Sequence, residues 1–496
     1  MDSINPARKR KAAGDDDPGT TLPPANMSLA DLHGLIDQRV TEAVDAKTLA
    51  LTSRIDCLQR ENEGLLHKCE SLERSFQVLK KEGSWAYSAP DVPMSHWIDQ
   101  GHDENYAEEA ELLIRSIKYC TLGLRSGDYE DIDISCGNLI FSGSVLNPHW
   151  EQLASAIQLS EGIATIFISN VQLDVRTLRR IETSVRQKGI AQLHLYGNQF
   201  HGGEGVQFAV DVLKSNRKIE TFSWDDNSFH STEDACKLVD AALEHPTVSQ
   251  LYLERSLDEG TGIVPYTPVE RLFRGVGNGK LIDINLNGNG IKTNGGRCIS
   301  DFLAANPPLK SLYLGGNQLS DDDALHIALA LQSNTNLRRL LLENNLLTER
   351  GKHVAYHQAI FGLHLSSLTV FDAIMNANLN TVSEANHTCR ILGLSCGRLP
   401  SGAGDNIMNG DNFSGSFNRG KKLFFVLAAR HYRKGYNITQ FESEFSGAGM
   451  RLVPHVLACV STYSETTKLD VCLSVFFELV RDWKTPEMYQ FQHCKV

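Results

Sequence analysis

Three groups of residues have types and spacings that could do chemistry. The first is Gly415-Ser416-Phe417-Asn418-Arg419-Gly420-Lys421-Lys422, one residue short of a phosphate-binding loop. In such a loop the glycines let backbone amides close on phosphate, the lysine reaches the terminal phosphates, and a following Ser or Thr holds magnesium. Lys422 stands where that hydroxyl belongs, and no strand pattern precedes the glycines to aim the amides, so nucleotide binding is not expected. The second group is His387, Cys389 and Cys396. Zinc sites pair one short Cys/His spacing with another, and the second pair is missing, so no metal is expected. The Ser, His and Asp residues show no nucleophile elbow. With no complete catalytic motif, the reading is a protein that is not an enzyme and needs no cofactor. The third group offers recognition rather than reaction: His194, Tyr196, Asp225, Tyr252, Glu254, Asp283, Tyr313, Arg339 and Glu343 fall at recurring places in a repeat.

The repeat is the string LxxLxLxxNxL, recurring from about residue 163 to 378, mostly every 28 or 29 residues. The clearest copies are IAQLHLYGNQF from Ile190, LIDINLNGNGI from Leu281, LKSLYLGGNQL from Leu309 and LRRLLLENNLL from Leu337. Weaker copies start at Ile163, Ile219, Val248 and Leu368, and a possible first copy starts at Tyr129. The step from 248 to 281 is 33 residues, so that repeat holds a short loop insertion. Within each string apolar residues alternate, which is the strand period, and an apolar pattern of helical period follows, as in Ala324, Ile327, Ala328 and Leu331. One strand and one helix cannot bury their own apolar faces; stacked copies can, with strands in a parallel sheet on the concave side and helices outside. The expected fold class is therefore α/β, a leucine-rich repeat solenoid of strand-helix units, preceded by a coiled-coil helix and followed by a helical module. Asn198, Asn227, Asn289, Asn317 and Asn345 share one place in the repeat, where a side-chain amide can bond backbone that turns off the strand, so they read as a structural ladder. Val171 and Ser256 replace Asn and should leave weak rungs, and Trp224 is an inward, core position.

Period, strand string, Asn and helix together resemble the ribonuclease-inhibitor-like class of leucine-rich repeats over about half of the chain. The wider arrangement resembles a diatom-type group of repeat proteins with a basic N-terminus, a short coiled coil, a repeat array and a helical tail. The matching stretches are ARKRK, SLERSFQVLKKEGSWAYSAPDVPMSHWIDQGHDE, ANHTC, LVPHVL and RDWKTPEMY. The first resemblance implies the solenoid; the second implies organisation and no activity.

Composition sets bounds on the rest. The chain has 496 residues, 41% hydrophobic and 22% charged, with a net charge of −12. Those are ordinary globular proportions, and the acidic balance argues against a protein that coats nucleic acid. No apolar run is long enough for a membrane span and no signal peptide is legible, so neither membrane nor secretion is expected. Eleven scattered cysteines fit reduced thiols in the nucleus or cytoplasm, and the sequons at Asn386, Asn412 and Asn437 are then chance matches.

Residues 1–27 read as a disordered tail. Arg8, Lys9, Arg10 and Lys11 form a basic run that an import receptor could read or that could simply be a solvated tail. Residues 28–82 read as helix, with Ile55, Asn62, Cys69 and Phe76 at position a of a heptad and Leu51, Leu58, Leu65, Leu72 and Leu79 at d. A lone Asn at a favours a two-stranded parallel coil in fixed register, so a homodimer is expected; the alternative is an amphipathic helix packed on its own solenoid. Residues 83–128 read as a connector and an N-terminal capping helix near 105–120, residues 129–395 as the solenoid, 396–420 as a flexible Gly/Asn/Ser loop, and 421–496 as a C-terminal helical module with helices near 421–434, 450–462 and 468–482.

The outward strand positions carry Asp225, Glu254, Asp283, Glu343 and Asp372 against Arg339 alone. An acidic groove with exposed tyrosines suits a basic protein and repels phosphate, so the expected activity is binding of a protein partner, not nucleic acid. The alternative is a regulator of a small GTPase, by analogy with the activators of the nuclear-transport GTPase, with Arg255, Arg339 and Arg350 as cations on or just after strands.

Overall fold

The computed structural model describes residues 28–81, 85–141, 143–186, 188–257, 265–275, 280–362, 377–394, 415–431, 436–445 and 447–467. The chain divides into two units, 1–84 and 85–496. Among its described residues the first contains one helix, α1 (Leu29–Lys81), of 53 residues. At a rise of ~1.5 Å per residue it is about 80 Å long. Its apolar side chains Val44, Leu51, Ile55, Leu58 and Leu65 are exposed, as are Asn62 and Cys69. Leu72, Phe76 and Leu79 lie in α1, but their side chains are outside the described residues, as is the basic run at residues 8–11.

The second unit is built on one sheet. Its strands are β1 (Asp131–Ile140), β2 (Thr165–Leu173), β3 (Gln192–Tyr196), β4 (Gln199–Phe200), β5 (Thr221–Asp225), β6 (Gln250–Tyr252), β7 (Asp283–Asn285), β8 (Ser311–Tyr313), β9 (Arg339–Leu341) and β10 (Arg390–Leu392). They lie side by side in the order β1-β2-β3-β5-β6-β7-β8-β9-β10, all parallel, with β4 pairing β2. Sequential order with parallel pairing requires a crossover after each strand, and helices supply it. These are α4 (Asn147–Leu159), α5 (Val175–Val185), α6 (Glu204–Ser215), α7 (Thr232–Glu244), α8 (Tyr266–Gly275), α9 (Cys298–Ala304), α10 (Asp321–Ala330) and α11 (Glu349–Phe361). Two apolar residues of each strand string point to the helices and are buried, among them Ile132 and Ile134, Leu193 and Leu195, Phe222 and Trp224, Ile284 and Leu286, and Leu312 and Leu314. The result is one leucine-rich repeat solenoid.

Several repeat helices begin on the same signal. Asp174, Ser231, Ser320 and Thr348 each accept a backbone N–H three residues on, and Ser320 with Asp323 forms a reciprocal capping box. At the opposite helix ends, Lys188 Nζ donates to the carbonyls of Gln158 and Ser160, and Lys280 Nζ to that of His245. Cations there complement the helix dipole and fill orphan carbonyls.

The first strand is an edge, and α2 (Met94–Asp99) and α3 (Glu104–Ser126) precede it. Glu109 accepts the Gly137 N–H at 2.8 Å, Tyr106 accepts the Phe141 N–H at 3.0 Å, and Ser116 donates to the Asp133 carbonyl at 2.8 Å. An open parallel edge would expose those groups for pairing with another chain; α3 occupies them. Its inner face is apolar, with Leu113, Ile114, Ile117 and Leu124 buried, and it runs longer than the capping helix expected near 105–120.

The far end departs from the sequence reading. The strand beside β9 is Arg390–Leu392, in register with Arg339–Leu341, and not the copy expected from Leu368. Residues 363–376, which include Asp372, lie outside the described residues. The cause is a broken period: Arg390 follows its neighbour Arg339 by 390 − 339 = 51 residues. Asn386 replaces the missing cue. Its Nδ2 donates to the Leu331 and Asn334 carbonyls, while its Oδ1 accepts from the N–H groups of Thr388 and Cys389. Just after β10 the backbone turns through Gly393, at φ +90°, where a Cβ would stand 2.3 Å from the Glu343 nitrogen. Only glycine allows that approach.

Four further helices are α12 (Leu379–Glu384), just before β10, and α13 (Gly415–His431), α14 (Tyr436–Glu444) and α15 (Val453–Thr467) after it. Leu423, Val426, Leu427, Val456 and Val460 form their core. A fully buried ion pair joins them: Arg430 donates to both oxygens of Glu444, at 2.9 and 2.6 Å, and Glu444 also accepts the Leu379 N–H at 2.9 Å. The helices expected near 421–434 and 450–462 correspond to α13 and α15, α14 was not expected, and 468–482 lies outside the described residues.

Candidate concave interface

Register turns the strands into columns. Cα partners run Asp131, Thr165, Gln192, Thr221, Gln250, Asp283, Ser311, Arg339 and Arg390 in the first. The second runs Asp133, Phe167, His194, Ser223, Tyr252, Asn285, Tyr313, Leu341 and Leu392. A third begins Ser135, Ser169, Tyr196, Asp225 and continues past the strand ends through Glu254 and Glu343. All nine recognition residues read from the sequence therefore stand on one strand face or at its margin. Asp131, Asp133 and Arg390 were missed there. The first two lay in the copy from Tyr129, whose strand string was the weakest, and Arg390 lay outside the period altogether.

The third column is partly neutralised. Arg255 lies just past β6 and reaches Asp226 on the preceding turn, its Nε at 2.6 Å from Oδ1, and also pairs with Glu254. Its second guanidinium nitrogen lies 3.3 Å from the Tyr196 hydroxyl. The arginine beside Asp226 holds that carboxyl below its ordinary value. The excess of acids over bases inferred from sequence overstates the field in this stretch, because Arg255 sits outside the strand positions counted.

Asp225 and Asp283 are different. Burial pushes both carboxyls above the ordinary carboxylate value, although Asp225 accepts from Ser223 Oγ and the Glu254 N–H, each at 2.6 Å, and Arg339 opposes the shift at Asp283. Burial also pushes the Tyr252 phenol up to about 12, helped by the charge of Asp283, and pulls His194 down. Tyr252 donates to Gln250 at 3.1 Å, and Glu254 accepts from Asn285 at 2.9 Å. The centre of the face is thus a set of half-buried, mutually bonded side chains, while Arg339 and Glu343 are exposed.

Behind the face, the asparagines bond from repeat to repeat. Asn317 Oδ1 accepts the N–H groups of Asn289 and Ile291, and its Nδ2 donates to the carbonyls of Leu286 and Leu314. Asn198, Asn227, Asn289 and Asn345 each donate to a carbonyl of the preceding repeat. The two weak rungs are filled by other means. Ser256 Oγ donates to the Trp224 carbonyl, and Asn170, one place before Val171, donates to the Cys136 carbonyl from a left-handed backbone at φ 55°.

The residues with apparent chemistry have structural work. Gly415–Lys422 is the first half of α13, not a loop between a strand and a helix, so its backbone does not have the form of a phosphate-binding loop. Its polar side chains hold the end of α12 and the segment after it: Asn418 donates to the His387 carbonyl, Arg419 to Ser383, and the fully buried Lys422 to the Asn386 carbonyl at 2.5 Å. Burial drives the Lys422 ammonium well below its ordinary value and pulls His387 down to about 3. Cys389 is fully buried and Cys396 lies outside the described residues. No cluster of three or more metal-ligating side chains occurs among the described residues. Seven cysteines there form no disulfide among the described residues, and the sequon residues Asn386 and Asn437 are buried. Among the described residues no helix is long and apolar enough to cross a membrane.

No family model and no curated protein matches this sequence. Among solved structures, the chain is similar to actin-binding site 2 of leiomodin-1, with 13% identity over 32% of this chain and 89% of that one, at a TM-score of 0.25. It is similar also to an internalin from Listeria monocytogenes, with 15% identity over 44% of this chain and 56% of that one, at a TM-score of 0.28. Neither overlap is close enough to bear on activity or partner.

Proposed function

We propose that this chain is a non-enzymatic scaffold that binds a protein partner, basic where it meets Asp225, Glu254 and Asp283, on the concave sheet, and that α1 joins two copies through a parallel coiled coil. The observation that carries the reading is the continuous face itself. Parallel strands in register put Tyr252 and Tyr313 on either side of Asn285 in one column and Tyr196 beside Asp225 in the next, and rigid aromatic rings in such a setting are the usual anchors of protein interfaces. The exposed apolar stripe of α1 supports the second part, since a helix with Leu51, Ile55, Leu58 and Leu65 in water gains by pairing them. The basic run at Arg8–Lys11 and the free thiols suit a nuclear or cytoplasmic setting. Arg255, one of the cations that a GTPase-directed reading would use, is held by two carboxylates, and no observation favours that reading.

The test has two parts. Affinity purification with the intact chain and with Tyr252→Ala/Tyr313→Ala, checked for an unchanged melting temperature, should lose partners only in the variant. Sedimentation of the intact chain should give a dimer, and removal of residues 28–82 a monomer. Equal recovery with both forms refutes the concave assignment; unchanged mass per particle refutes the coil.

A further inference from the structure

Charge along the concave face is not uniform, and its order suggests how a partner lies. At one end of the sheet, Asp131 and Asp133 are exposed, and Asp128 and Glu130 are exposed just before them. The stretch 127–135 holds four acidic residues (Asp128, Glu130, Asp131, Asp133) and no Lys or Arg. At the other end, the first column closes on Arg339 and Arg390 as register neighbours, with Arg338 exposed beside them and Glu343 the one exposed acid of that strand's outward positions, so cations are in excess. Between those ends the same column is neutral except for Asp283, whose carboxyl burial pushes above its ordinary value against the pull of Ser311 and Arg339.

From β1 to β9 there are seven strand steps. At ~4.8 Å each they span about 34 Å. That is several times the ~8 Å screening length at physiological salt, so the two ends neither cancel nor compete; each meets what lies directly over it. A uniformly basic ligand would gain over β1 and lose over β9 and β10. A polypeptide segment with cations at one end and carboxylates at the other gains at both. Helical, it needs about 22 residues to cover the span; extended, about ten.

We propose that the concave face takes a bipolar polypeptide segment in one orientation, its basic end over Asp131 and Asp133 and its acidic end over Arg339 and Arg390, with Tyr252 and Tyr313 beneath its middle. This rests on the concave-face reading above and adds the partner's charge order and direction. Nucleic acid does not fit, because its phosphate charge is uniform along its length and would lie over the acidic end.

The experiment is selection of a random peptide display library, peptides of about 24 residues, on the full-length chain. The length matches the helical span. The expected sequences are basic in one half and acidic in the other. A synthetic peptide of that kind should weaken by about tenfold toward Asp131→Lys/Asp133→Lys, and similarly toward Arg339→Glu. It should recover toward the triple variant, where the field is reversed and the peptide turns end for end. That recovery separates electrostatics from damage to the fold. Selection of uniformly basic peptides, weakened by the aspartate variant and indifferent to Arg339→Glu, overturns the bipolar inference and leaves the concave-face reading standing. Peptides indifferent to all these variants and to Tyr252→Ala/Tyr313→Ala, or no enrichment at all, overturn both.

Discussion

Asn317→Ala tests the asparagine ladder at its best-connected rung. The side chain is 4% exposed and serves two repeats at once. Its removal leaves the N–H groups of Asn289 and Ile291 without the acceptor they share at 3.0 Å, and takes from the Leu286 carbonyl a donor at 2.9 Å. The Leu314 carbonyl is spared, because Asn345 also donates to it at 2.9 Å. Each buried polar group left without a partner costs ~1–3 kcal/mol, so three of them, relieved in part by water entering the space, should cost about 3 to 5 kcal/mol. That is a large share of the ~5–15 kcal/mol that holds a typical domain together. Because a solenoid is coupled neighbour to neighbour, the loss should also weaken cooperation across the β7–β8 junction. Urea unfolding followed by tryptophan fluorescence and circular dichroism should show a lower midpoint and a broader or two-step transition. Asn344→Gly is the control: Asn344 is exposed at φ 56°, where glycine is at ease, and its effect should stay within about 0.5 kcal/mol. A loss below about 1 kcal/mol for Asn317→Ala would refute the ladder as a source of stability.

Other perturbations reach other parts. Glu444→Ala removes the carboxylate that grips the Arg430 guanidinium where both side chains are fully buried, and should cost about 3–5 kcal/mol, read as accelerated hydrogen exchange in α13 and α14. Gly393→Ala drives a Cβ to within 2.3 Å of the Glu343 nitrogen and should loosen β10 from β9, with faster proteolysis after residue 377 as the readout. Acid should destabilise through His357 and His387, which burial pulls down to about 3. Both stay neutral in the fold while the unfolded chain protonates near pH ~6.5. Their contribution is therefore complete above that pH and drains away as pH falls toward 3, by about 1.4 kcal/mol per pH unit per histidine. His357→Gln should flatten the profile, and an unchanged slope would refute the assignment.

The parallel sheet, the inward apolar pairs and the asparagine positions could be read from the sequence because each rests on residues within one 28- or 29-residue period. Trp224 at an inward position is fully buried, as its place in the string requires. What escaped the reading rests on distant partners. β10 is recognisable only from its neighbour, since Arg390–Leu392 carries too short an alternation to mark a strand by itself. Arg255 lies outside the strand string, so its grip on Asp226 and Glu254 has no periodic signature. The GxxxxGK spacing misleads for the opposite reason. It is a local pattern whose meaning depends on a strand before it, and α13 makes the same residues into side-chain donors for the Ser383–His387 segment.

The treatment of the two sheet ends limits how this protein can change length. A solenoid in principle grows by adding units at its tips. Here β1 has its outer backbone groups occupied by Glu109, Tyr106 and Ser116 of α3, and β10 depends on a glycine contact that no ordinary repeat supplies. The β1 tip cannot accept another strand without losing those contacts. The interior units offer an alternative, since the copies from Leu281, Leu309 and Leu337 are spaced 28 residues apart and bond through interchangeable asparagines. Duplication or loss of a 28-residue unit within that stretch leaves both ends intact and shifts the arginine end of the face by one strand. Lineages of such a chain would therefore vary in the number of middle repeats while keeping the first and last, and an engineer wishing to lengthen the groove should cut between Leu309 and Leu337.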